Sequence, residues 1–324
     1  MKFSSFLPLG LSALTLAAPT PTIEEKRGTL AKRAAALTDI ATVGYATQNG
    51  GTTGGKGGTT TTVSSFAQFT AAVEGDEKKI VVVSGPIAST GNVKIGSNTS
   101  VIGKSSAAKL SGFTLTVKGV SNVIIRNLAI SKVIGGDAVA IQKASNVWID
   151  HLDLSSDRDH DKDYYDGLLD VTHAADYVTI TNTYLHDHWK SSLVGHSDSN
   201  SAEDKGHLTV TYALNYWKNI NSRGPSFRFG TGHIFNNYYD TVSDGINTRQ
   251  GAQLLVQNNV FVASKKALYS TDTGYAVASG NDFGDSENTA PAGTFSTAPY
   301  SVSLLAASAV KAAVVGTAGN TLSF

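Results

Sequence analysis

The chain of 324 residues has no cysteine, which excludes a disulfide framework, a zinc–thiolate centre and a thiol nucleophile. It has a single methionine, and charged residues make up only 16% of it. Lys plus Arg number 26 and Asp plus Glu number 26, so the formal net charge is zero. Without a global field, nothing draws the chain to nucleic acid or to an anionic membrane, and an anionic ligand must be held by local basic groups. The apolar run at residues 6–18 is shorter than the roughly 20 residues that span a bilayer. No coiled-coil heptad pattern is present, and a monomer is expected.

Glycine is abundant at 32 residues, and serine and threonine are frequent. That composition suits short strands and turns better than a helical bundle. At the N-terminus Lys2 precedes the apolar run, which closes on the small pair Ala17-Ala18 before Pro19. A charged start, a short apolar middle and a small-residue exit are the parts of a secretory signal peptide. The dibasic pairs Lys26-Arg27 and Lys32-Arg33 resemble processing sites of eukaryotic secretory pathways. The expected organisation is a signal peptide at 1–18, a pro-segment at 19–33 and one domain at 34–324, secreted to the extracellular space. The sequon Asn98-Thr99-Ser100 agrees with that route.

The domain opens with a Gly/Thr-rich stretch at residues 50–62. Phe66, Phe69 and Val73 then recur at helical spacing behind Ser65, with Gln68 three residues on, which predicts a short capped helix. From there a unit recurs: four to six β-formers alternating apolar and polar, entered or left through Asn. It is seen at Asn122-Val123-Ile124-Ile125-Arg126-Asn127, at Asn146-Val147-Trp148-Ile149-Asp150-His151, and in later versions near 178, 208, 234 and 255. Starts at Val123, Val147, Val178 and Leu208 lie roughly 24, 31 and 30 residues apart, a range that signals a solenoid. Strand–turn units of this size without intervening helical patterns predict an all-β parallel β-helix, each coil burying its inward side chains on its neighbours. A β-sandwich, the competing arrangement, repeats strands every 8–12 residues. The Phe66–Val73 helix is expected to cap one end, and the Ala-rich stretch at 304–315 to fold over the side or the other end.

Chemistry-bearing residues gather at 137–228. Asp137, Asp166 and Asp170 come first, then Lys190, Arg223 and Arg228. Carboxylates of this kind suit a hard cation such as Ca²⁺, and the basic groups could clamp an anionic ligand beside it. Bland readings stand next to this one: an acidic pair in a turn, or arginines in surface ion pairs. Asp150 and His151 read as a buried support. In His186-Asp187-His188, strand alternation would put both histidines on one face, yet no third ligand is evident and strand-end residues are the simpler reading. Residues 157–163, dense in mixed charge, read as an exposed loop at the rim of a cleft.

With Asn146-Val147-Trp148-Ile149-Asp150-His151 and Arg223-Gly224-Pro225-Ser226-Phe227-Arg228 in this order, the chain resembles the pectate lyases of polysaccharide lyase family 1 over nearly all of its mature length. The resemblance implies a right-handed parallel β-helix and calcium-dependent cleavage of polygalacturonate by β-elimination. It implies Asp137, Asp166 and Asp170 as calcium ligands, Lys190 and Arg228 as substrate-binding residues and Arg223 as the catalytic proton acceptor. Gly135 stands where some members carry a further aspartate, which puts an additional calcium site in doubt.

The implied chemistry removes the C5 proton, alpha to the uronate carboxylate, and expels O4. Charge that builds on that carboxylate is stabilised by a divalent cation and by cationic side chains. An arginine is ordinarily protonated, with a pKa above about 12, so the implied role needs a transiently neutral guanidinium and implies an alkaline optimum. Pectin lyases share the fold but lose the acidic set, which is present here. A β-helical polygalacturonase needs two carboxylates flanking the bond and its Asn-Thr-Asp, Gly-His-Gly and Arg-Ile-Lys signatures, which are absent from the sequence. A non-catalytic carbohydrate-binding β-helix would not need the two arginines beside three acids.

Overall fold

The strands Lys79–Val83 and Thr99–Gly103 are buried on nearly every residue, the first through a continuous apolar run and the second with Thr99 and Ser100 also buried, as strands covered on both faces are. In the computed structural model, which describes residue 1 and residues 35–324, these runs pair in parallel, coil on coil. The expected signal peptide and pro-segment lie outside the described residues, Met1 apart.

Among the described residues the strands form three stacks. The first holds ten strands, from Thr59–Val63 through Ser145–Asp150 and Asp176–Thr181 to Tyr275–Ser279. The second includes Asp153–Ser155, Tyr184–Lys190 and Tyr216–Ser222; the third includes Val139–Gln142, Leu169–Thr172, Ser226–Arg228 and Asp244–Arg249. The long strand Lys109–Lys118 joins the second stack to the third by pairing with both. This is the parallel β-helix that the repeat predicts. One register differs from the expectation: Val178 pairs with Val210, not with Leu208. Leu208 is instead a left-handed turn residue with φ of 65°, and a hydrophobic pattern cannot tell a buried turn residue from a strand residue.

The recurring asparagines have distinct jobs. Asn127, Asn182, Asn236 and Asn258 all adopt positive φ at the turn after the first stack, a conformation Asn tolerates better than most residues. One position on, Asn215, Asn237 and Asn259 form a buried ladder. The Asn237 side chain donates to Asn259 Oδ1 at 2.9 Å and to the Tyr212 carbonyl at 3.0 Å. These coils repeat at 22 residues. Where the repeat lengthens to 31 and 32 residues, the surplus forms the loops at 156–168 and 195–208, which flank the third stack.

Inside, Trp217, Tyr239 and Phe261 stack ring on ring at 5.6 and 4.2 Å. The helix Phe66–Val73 buries Phe69 and Val73 in the same core, and its N-cap Ser65 accepts from Gln68 N at 3.3 Å. The helix Ala307–Val314 lies on the side of the solenoid, packing Val310 and Val314 on Tyr216, Tyr238 and Val260. The C-terminal residues continue along it to Asn127, which holds Leu322 through both amide groups. No helix among the described residues is long and apolar enough to cross a membrane.

Candidate active site

Successive coils carry the acidic and basic groups to one face because parallel pairing aligns residues that lie one coil apart in sequence. Asp170 sits on the strand Leu169–Thr172, between Ala140 of the preceding coil and the strand Leu193–Val194 of the next. Asp137 precedes Val139–Gln142, and Lys190 ends Tyr184–Lys190. Arg223 follows Tyr216–Ser222, and Arg228 ends Ser226–Arg228.

Asp137 and Asp170 converge. Asp137 Oδ1 accepts from Gly167 N at 2.8 Å, and Asp170 Oδ1 accepts from Leu193 N at 2.9 Å. A Cβ placed on Gly167 would stand 2.7 Å from Oδ1 of each, so only glycine fits between them. Burial and, second, the Asp166 charge push the Asp137 carboxyl up to about 6. Burial and then the Asp137 charge push Asp170, 8% exposed, well above the usual carboxylate range. Arg223 and backbone N–H groups pull both the other way without prevailing.

Asp166 turns elsewhere. Its Oδ1 accepts from Lys190 Nζ at 2.9 Å, and Asp163 takes a second Nζ donor at 2.8 Å. Burial alone would lower the Lys190 ammonium; these two carboxylates outweigh it and raise it. Among the described residues, no three His, Asp or Glu groups are already arranged around one cation position.

The two arginines differ. Arg223 occupies the left-handed region at φ 64°, fixed by its carbonyl accepting from Ser192 N at 2.9 Å and by Gly224 N donating to Gly245 O at 3.0 Å. An L-residue held there is strained, and such strain persists only where neighbours over-determine it. The following Gly224–Pro225 bond is cis. Among the described residues the Arg223 guanidinium has no hydrogen bond or ion pair, while its charge acts on Asp137, Asp170, Lys190 and His188. Arg228, by contrast, donates through Nε to Asp198, which also pairs with Arg249 at 3.0 Å. It is therefore already engaged, with the Gly195 carbonyl as a further acceptor at 3.3 Å.

Sequence comparison places these features in a family. The profile described as Pectate lyase matches residues 17–323. The chain is 67% identical over 328 residues, spanning all of both chains, to a probable pectate lyase A of Aspergillus fumigatus. It is 67% identical over 312 residues to pectate lyase A of Aspergillus niger, covering 95% of this chain and 94% of that one. The chain belongs to the pectate lyase family. Among solved structures it resembles a pectate lyase from Bacillus sp. N165, crystallised in complex with trigalacturonate, with a TM-score of 0.79 and 32% identity over 86% of this chain and 98% of that one. The enzyme is thus a polysaccharide lyase.

In this pectate lyase the most recognisable sequence run lies away from the converging acids, on the first stack. Asp150 accepts from Arg126 Nε at 2.7 Å, Thr181 Oγ1 at 2.7 Å and Asn182 Nδ2 at 2.9 Å, with His151 Nδ1 2.7 Å away. Burial would raise its carboxyl, yet His151 and Arg126 hold it below the usual range. It is a buried support. His186 and His188 do not share a face, contrary to simple alternation. Asp187 adopts φ 50° between them, which turns His186 outward to Asp153 and His188 inward, in register with the core residue Ile220. Both His188 nitrogens are spent, on Ser156 Oγ and on the Asp166 carbonyl. Burial first, then the Lys190 and Arg223 charges, lower its pKa.

Sequence reasoning passed over two residues of this site. Gly167 is readable in hindsight as a glycine lodged between two acidic positions. Asp163 gave no signal beyond its place in a charged loop.

Proposed function

We propose that this enzyme acts outside the cell on polygalacturonate, the (1→4)-α-D-galacturonan of de-esterified pectin, by calcium-dependent β-elimination to 4,5-unsaturated oligogalacturonates. The observation that carries the reading is the Arg223 guanidinium, without a hydrogen bond or ion pair among the described residues, beside half-buried Asp137 and buried Asp170. The trigalacturonate bound to the Bacillus relative supports the substrate class. The N-terminal apolar run followed by dibasic pairs supports export.

The residues fit a hard divalent cation. Half-buried Asp137 and buried Asp170 meet across Gly167, both stay raised despite the nearby Arg223 charge, and oxygen donors of this kind are what Ca²⁺ takes. Asp137, Asp170 and Asp166 would hold it. When bound, calcium withdraws charge from the uronate carboxylate and makes the C5 proton more acidic. Lys190 and Arg228 neutralise carboxylates along the polymer and fix its register. Arg223, held rigidly by its turn, accepts the C5 proton. The C–H electron pair becomes the C4=C5 double bond as the C4–O4 bond breaks; the departing O4 takes a proton from solvent to become a hydroxyl, and no water is added across the bond.

Ultraviolet absorbance during incubation with polygalacturonate tests this directly. A rise that needs calcium and stops with excess chelator is expected. New reducing ends without absorbance would mean hydrolysis and would overturn the reading.

A further inference from the structure

One imidazole joins the two ends of the loop at 156–168. His188 is 1% exposed and belongs to the strand Tyr184–Lys190. Its Nε2 lies 2.6 Å from the Asp166 carbonyl, which can only accept, so Nε2 carries the proton and donates. In the neutral ring Nδ1 is then the acceptor, and it takes the hydroxyl of Ser156 at the start of the loop.

The peptide that His188 grips is the one that meets the acids. Asp166 supplies its carbonyl and Gly167 its N–H, and that N–H donates to Asp137 Oδ1 at 2.8 Å. A peptide unit is planar, so a donor on its oxygen and an acceptor on its nitrogen together fix its orientation. Polarisation along such a chain strengthens both bonds. The orientation of this plane decides how Gly167 sits between Asp137 and Asp170 and from where the Asp166 side chain starts. That side chain is 50% exposed and pairs with Lys190 Nζ at 2.9 Å. A single strand, Tyr184–Lys190, therefore holds Asp166 twice, by its backbone through His188 and by its carboxylate through Lys190.

We propose that His188 is a positioning residue of the acidic site, which holds the Asp166–Gly167 peptide and so keeps Asp137 and Asp166 in place to bind a divalent cation. The proposal rests on the calcium reading of these acids. It gives the buried imidazole a task beyond filling the core: the carboxylate of Asp166 is free to turn while its backbone is not.

The test compares His188→Gln with His188→Asn in the full-length enzyme at a single pH. Glutamine carries an amide N–H at about the reach of Nε2 and can still serve the Asp166 carbonyl, whereas asparagine reaches only as far as Nδ1. Both remove the ring from the core, so both should lose melting temperature alike. In calorimetric titration with calcium alone, His188→Asn is expected to bind about ten- to a hundredfold more weakly, the range for partners of metal ligands, and His188→Gln to stay within about threefold of wild type. Equal affinities in the two variants, or affinities that follow melting temperature alone, overturn the proposal.

Trypsin supplies a readout that needs no calcium. Lys162 is exposed in the loop, and cleavage after it should be about two- to tenfold faster in His188→Asn than in His188→Gln, the scale of one hydrogen bond. Equal rates overturn the tie. If neither variant accumulates folded, Ser156→Ala frees the other ring nitrogen. Calcium affinity should then fall about two- to fivefold and return in Ser156→Thr, which keeps the hydroxyl; an unchanged affinity in Ser156→Ala overturns the proposal. Wild-type enzyme that binds no calcium would instead defeat the calcium reading, while the trypsin comparison separately decides whether His188 holds this peptide.

Discussion

Asp137 and Asp170 each hold a carboxylate oxygen 2.7 Å from the point where a Cβ on Gly167 would sit. Burial, and then the Asp166 charge on Asp137 and the Asp137 charge on Asp170, raise both carboxyls, and the sign of the effect on stability follows. A carboxyl whose pKa is higher folded than unfolded costs nothing below its unfolded value, near 4, and destabilises as pH rises through its folded value. For Asp137 that value is about 6, and the cost is on the order of 3 kcal/mol.

The chelated enzyme should therefore lose melting temperature between about pH 4 and pH 7, and Asp137→Asn should lose less. Calcium, by neutralising the pair, should raise the melting temperature more at pH 8 than at pH 4. Thermal melts with and without chelator across this range check both. A calcium effect independent of pH would place the cation away from this pair.

Gly167→Ala forces a methyl group against both carboxylates and against the Asp170 carboxyl carbon at 3.1 Å. The backbone N–H to Asp137 survives such a change, but the two acids must separate. Apparent calcium affinity is expected to fall by about tenfold or more, in the range seen when groups supporting metal ligands are altered. The calcium dependence of initial rates reads this out, and a normal calcium titration would show that the space beside Gly167 is not used.

Much of the fold was legible because a solenoid repeats one local rule. Val147, Val178 and Ile234 face the core for the same reason, and asparagine marks the left-handed turns that each coil requires. The candidacy of Asp137, Asp170, Lys190 and Arg223 came from the family resemblance, and parallel pairing explains why one face can carry them. What was hidden depends on single backbone choices. One left-handed residue, Asp187, sends His188 into the core, and alternation cannot register such a kink. The commitment of Arg228 to Asp198 crosses 30 residues through a loop of no regular period. Gly167 matters for the atom it lacks, and its place between Asp166 and Asp170 is the one cue to it in the sequence.

The Trp148-Ile149-Asp150-His151 run separates fold from chemistry. Asp150 is buried against Arg126, which also reaches Asp39 at 2.9 Å and lies 5.2 Å from the Trp148 ring centroid. Removing one partner of a buried pair leaves the other uncompensated, at a cost of about 3–5 kcal/mol. Asp150→Asn should lower stability by that order in denaturant titration. The kcat of the folded fraction on polygalacturonate should stay within about twofold. A normal melt with lost turnover would assign Asp150 to the reaction.

Arg223→Lys isolates the proton acceptor from its charge. Lysine keeps a positive group near Asp137 and Asp170, so the electrostatic balance of the site survives. It does not keep the planar fork or its reach, and the strained turn holds the backbone in place whichever side chain it bears. Binding of the polymer draws on Lys190 and Arg228, which the change leaves intact. A group that moves a proton in the transition state contributes about 10²- to 10⁴-fold. Accordingly kcat is expected to fall at least about a hundredfold, with KM and calcium affinity within about threefold of wild type. Steady-state absorbance and calorimetric titration with oligogalacturonate measure the two separately. A variant that keeps its kcat within about threefold would remove Arg223 from proton transfer. One that instead loses oligogalacturonate binding would make Arg223 a substrate clamp alongside Lys190.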